Sequence, residues 1–113
     1  MATDVKAHLS NTGISAQKVR LVINMVRGKS VNDALNILKF ANKVSAEPVY
    51  KLIASAAANA EENFGLDRND MYVYQIFADE APTRKWRLFG ARGRFKPVLR
   101  RSSHVTVVLR ERE

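Results

Sequence analysis

The sequence predicts an α+β fold: three helices, a short first strand and one long β-hairpin. Three observations predict it. Between residues 16 and 63, three segments repeat apolar residues at helical spacing. Two β-branched and aromatic runs follow, at 71–80 and 97–110. They are joined through RKWRLFGARGRFKPVLRR, residues 84–101, which holds eight Lys or Arg and no acid.

Residues 3–9 alternate weakly, with Val5, Ala7 and Leu9 on one side, and predict a short strand. NTG at 11–13 is turn chemistry. Ser15 then caps a helix over 16–27, whose apolar face is Val19, Val22, Ile23 and Val26. Gly28 stands where the helix should stop, with Arg27 beside the negative end of its dipole. Ser30 caps a second helix with Asp33 in its first turn, and Val31, Ala34, Leu35 and Leu38 repeat the spacing. The short link makes these helices close neighbours.

A third helix is expected over about 46–63, with Ser45 as its cap. Pro48 is tolerated in the first turn, where its missing N–H has no intrahelical role. Val49, Leu52, Ile53, Ala56 and Ala60 form the buried face, and the small residues of ASAAANA permit close approach. Glu61 and Glu62 oppose the dipole, and Gly65 is the expected stop.

The strands at 71–80 and 97–110 read as the arms of one hairpin spanning 71–110. Counting inward from Met71 and Arg110 puts its midpoint at Gly90–Ala91, where Gly90 and Gly93 supply turn conformations. Twenty residues per arm at about 3.3 Å each give roughly 60 Å. A compact domain of this length is only about 30 Å across. If both arms stay extended, the tip leaves the body, and a partner must order it.

Charge supports that partition. The net charge is +8, from nineteen basic and eleven acidic residues. Eight of the cations sit in 84–101; the rest of the chain carries eleven of each sign. A clustered basic block with pI near 10.2 is the footprint of a nucleic-acid binder. The aromatics Trp86, Phe89 and Phe95 among the cations fit nucleic-acid contact, where phosphates meet Arg and Lys and bases stack on rings.

Other chemistries find little support. The absence of Cys removes disulfides and thiolate metal sites. RGKS at 27–30 imitates the end of a phosphate-binding loop, but Ile23 stands where Gly is needed and a helix precedes it. His8 and His104 lack a third ligand for zinc, and Asp79 and Glu80 are adjacent on a strand and face opposite ways. No enzyme, cofactor or metal site is expected. No apolar run spans a bilayer and no leader pattern opens the chain, so a soluble cytoplasmic protein is expected.

The stretches SAQKVRLVINMVRGKSVNDALNIL, SAAANAEEN, DEAP, ARGR and RRSSHVTVVL, in this order over about 6–110, resemble the bacterial large-subunit ribosomal protein twenty-two family. The resemblance implies three helices packed on a small three-stranded antiparallel sheet, with a projecting hairpin. It implies binding to large-subunit ribosomal RNA, a part in early assembly, and a hairpin whose tip lines the nascent-peptide tunnel.

By position it carries over Ser15, Lys18, Arg20, Arg27 and Lys29 around the first helix as RNA-facing. In and after the hairpin it carries over Arg84, Lys85, Arg92, Arg94, Arg100, Arg101, Ser102, Ser103 and His104. Arg87 and Lys96 join them as members of the basic block. The expected tunnel-lining tip is Arg87, Leu88, Phe89, Gly90, Ala91, Arg92, Gly93 and Arg94. The chain departs from the family pattern at Ala81, Trp86, Phe89-Gly90 and Phe95.

The expected organisation is one domain over 1–113, with a body of about 1–80 and 103–113 and a hairpin of about 81–102. Its expected partners are large-subunit ribosomal RNA, neighbouring large-subunit proteins and the nascent polypeptide, with neither DNA nor membrane. An organellar ribosome stays open beside a cytoplasmic one. Two rival classes make distinct demands. A DNA architectural protein with a β-ribbon arm would bind duplex DNA at least as well as structured RNA. A peripheral membrane protein would float with anionic vesicles.

Overall fold

A computed structural model of the chain describes residues 4–10, 12–81, 84–89, 95–100 and 102–112. Its elements in order are β1 (Asp4–Leu9), α1 (Ala16–Val26), α2 (Val31–Phe40), α3 (Ala46–Phe64), a 3₁₀ turn (Arg68–Asp70), β2 (Met71–Glu80), β3 (Arg84–Phe89), β4 (Phe95–Arg100) and β5 (Ser103–Glu111). The fold is α+β, as predicted.

Each of the first two helices begins where a serine oxygen accepts a first-turn amide. Ser15 accepts from the Lys18 amide and Ser30 from the Asp33 amide. Ser45 departs from this expectation. It lies in helical conformation (φ −74°, ψ −10°) and makes no side-chain cap bond. Both other caps act on the third helical residue; in α3 that residue is Pro48, which has no N–H to offer. At the other end Gly65 takes φ +65° and stops α3 in the left-handed region.

The sheet order is β1-β5-β2, antiparallel throughout. The helix faces read from the sequence pack on it, with Ala16, Ala46 and Ala57 also buried. From the sheet come Val5, Met71, Val73, Ile76, Ala78, Val105, Val107 and Leu109, in one continuous core. Along α3, Ala56, Ala57 and Ala60 are fully buried.

The run 97–110 is two strands, not one. β4 ends at Arg100 and β5 starts at Ser103. The arms nevertheless stay together: Ala81 N–H donates to Ser102 O at 3.1 Å between the sheet and the β3–β4 ladder.

The register also moves the hairpin's centre. Met71 opposes Glu111 instead of Arg110, and an irregularity between Val73 and Gln75 adds a residue to the outgoing arm. The offset has grown by one more at Arg84↔Arg100, and the last pair is Phe89↔Phe95. The pairing therefore centres on position 92, beyond the counted Gly90–Ala91. The molecule measures 64 × 25 × 18 Å with a radius of gyration of 17.2 Å. A compact chain of this length would give roughly 13 Å, so the long axis reflects a projecting arm.

Candidate nucleic-acid interface

β3 and β4 set the basic block in a fixed pairing. Arg84 opposes Arg100, Lys85 opposes Leu99, Arg87 opposes Pro97 and Leu88 opposes Lys96. Arg92, Arg94 and Arg101, with Gly90, Ala91 and Gly93 of the expected tip, lie outside the described residues, as does Asn11 of the NTG turn.

Below the ladder, Ser102 and Ser103 serve the fold. Ser103 is fully buried; its hydroxyl donates to Ile14 O at 2.8 Å and lies 2.8 Å from the Thr12 hydroxyl. Thr12 N–H donates to Ser103 O at 3.0 Å. Gly13 N–H donates to the Ser102 hydroxyl at 2.9 Å. These bonds fasten the loop before α1 to the hairpin's return arm. They bring the α1 start, with Ser15 and exposed Lys18, to the hairpin base.

The arginines of α1 are also engaged within the protein. Arg20 donates Nε and Nη2 to Ala78 O at 3.3 and 2.9 Å. Arg27 donates Nη2 to Ile76 O at 2.8 Å and Nη1 to Asn24 at 2.7 Å. Both acceptors lie on β2, which is an edge strand. The α1–α2 loop continues the cover: Gly28 N–H donates to Val73 O and Val73 N–H to Lys29 O, at 3.0 and 2.8 Å. A helix and a loop thus occupy backbone groups of an edge that would otherwise attract another strand. Exposed Lys29 lies just beyond the end of α1, and helix rise alone puts Val26 about 12 Å from Lys18. The structure therefore separates the two lysines.

The sheet's outer face carries pairings that the sequence did not signal. Arg110 forms hydrogen bonds to Asp4 at 2.7 and 3.1 Å, and its guanidinium lies 3.4 Å from the Tyr74 ring centroid. The Arg110 bond holds the Asp4 carboxyl below the usual aspartate range. Partners 106 positions apart leave no local pattern. The His8 and His104 rings lie 5.7 Å apart, and His8 Nδ1 is 3.0 Å from the Thr106 hydroxyl.

Comparison with known proteins decides the family. The model for ribosomal protein L22p/L17e matches residues 7–110. The chain belongs to that family. The chain is 51% identical over 106 residues to the large ribosomal subunit protein uL22 of Dehalococcoides mccartyi strain 195, covering 94% of this chain and 97% of that one. It is 50% identical, with the same coverage, to the uL22 proteins of strains BAV1 and CBDB1. The matched span includes α1, α2, α3 and the whole hairpin of this L22p/L17e member.

Proposed function

We propose that this chain is a structural constituent of the large ribosomal subunit that binds large-subunit ribosomal RNA and supports early assembly. The body docks on RNA near its surface. The hairpin runs inward, and its tip, 87–94, lines the passage of the nascent polypeptide. Neighbouring large-subunit proteins complete its surroundings, on a cytoplasmic ribosome. The unit is one domain, a body of 1–80 and 103–113 carrying a basic extension of 81–102.

The observation that supports this best is the β3–β4 ladder within a block of eight cations and no acid, on a chain whose remaining charges cancel. The work it does is charge neutralisation and fit: an extended cationic ribbon fills the space between RNA segments that repel each other. Lys18, Lys29 and the hairpin's Arg and Lys residues meet phosphate. Arg20, Arg27, Ser102 and Ser103 hold those groups in position.

If about six of the hairpin cations contact phosphate, the log–log salt slope of RNA affinity is near −4 to −5. Sucrose-gradient fractionation tests the assignment in cells: the chain co-migrates with the large subunit. Its loss from the subunit after a low-salt wash overturns the reading.

A further inference from the structure

The corner between α2 and α3 exposes apolar surface that the fold does not use. Phe40 is 81% exposed and Val44 is 86% exposed. A single exposed apolar residue is ordinary; here two crown one short connection. Lys39 and Lys43 flank them, both exposed, and no acid occurs between Asp33 and Glu47. The Lys39 ammonium lies 5.9 Å from the Phe40 ring centroid. A ring beside an ammonium can stack on a base while the cation meets its phosphate.

Position supports the same partner. α3 starts at this corner and carries the chain to the sheet end where β2 begins, about 28 Å away by helix rise. β2 runs back toward the end from which the hairpin leaves. The corner therefore shares a pole with the hairpin base and Lys18. The opposite pole mixes Asp33, Glu61, Glu62, Asp67, Asp70 and Glu111 with Lys29, Arg68, Arg110 and Arg112. An anionic partner drawn to the hairpin base and Lys18 therefore meets Lys39 and Lys43 at the corner as well.

We propose that the α2–α3 corner is a separate RNA contact. Phe40 stacks on an unpaired base, Val44 packs beside it, and Lys39 and Lys43 bind the flanking phosphates. The proposal rests on the ribosomal reading above and adds to it a site outside the hairpin and α1.

The test uses the full chain and protein-free large-subunit ribosomal RNA, titrated over a range of salt. Lys39→Gln/Lys43→Gln makes the slope shallower by about 1.4–1.8, at 0.7–0.9 per phosphate contact. Phe40→Ser/Val44→Ser weakens binding by about tenfold at every salt concentration, with the slope unchanged. Both variants melt within a few degrees of the parent, because these side chains lie outside the core. If both bind RNA as the parent does while Arg84→Gln/Arg100→Gln weakens binding, the corner proposal falls and the ribosomal reading stands. If Phe40→Ser/Val44→Ser instead loses affinity only for purified large-subunit proteins, a protein occupies the corner and the proposal is overturned. If the parent shows no salt-dependent RNA binding, both readings fall.

Discussion

Arg20 and Arg27 lie seven positions apart on α1 and both end on carbonyls of β2. A charged donor to a carbonyl contributes about 1.5–3 kcal/mol when shielded, and less when partly exposed. Arg20→Gln is therefore expected to lower unfolding stability by about 1 kcal/mol in a urea titration while leaving the RNA salt slope in place. Lys18→Gln should do the reverse, making the slope shallower by about 0.7–0.9 with little change in the urea midpoint. If Arg20→Gln changed the slope as much as Lys18→Gln, Arg20 would be a phosphate ligand. Asp4 makes a pH prediction. Its folded-state pKa is depressed, by the hydrogen bond from Arg110 first. Its stabilisation is present above the unfolded value near 3.9 and is lost as pH falls through the lower folded value. Asp4→Asn should remove this part of the acid dependence, read by amide exchange on β1 at falling pH. The sequence showed these residues as charges only; their partners come from elements far away in the chain.

The helices were readable at the level of elements because their signals are local. Val19, Val22, Ile23 and Val26 announce a face whatever it packs on, and that face is buried as expected. The strand 71–80 was equally plain. Register was less so. The extra residue between Val73 and Gln75 has no composition signal, and with the other offsets it shifts the counted hairpin centre. Ser45 looks like the caps before it, yet Pro48 removes the amide that such a cap would bind. Packing at α3 offers a direct test. Ala57 has no exposed surface, so Ala57→Leu should overpack the core at a cost of about 1–3 kcal/mol, measured as a lower melting temperature. An unchanged melting temperature would mean that the core around Ala57 has room for a larger side chain.

For the whole molecule, the 64 Å axis and the charge distribution describe the same asymmetry. A body with cancelling charges carries one basic arm. Among the described residues, the core cluster draws on α1, α2, α3 and the three-stranded sheet. Deleting 84–101 should therefore leave the circular-dichroism helix signal and the melting temperature nearly unchanged while removing most of the RNA salt slope. An unchanged slope would move the phosphate contacts away from the hairpin. By itself, the sequence determined the three helices, their buried faces, the hairpin and the isolation of its charge, because periodicity, capping chemistry and charge density are local quantities. The tertiary structure alone decided which cations are spent inside the fold. The carbonyls that hold Arg20 and Arg27 lie 58 and 49 positions away, on an edge strand whose free groups exist only once the sheet has formed.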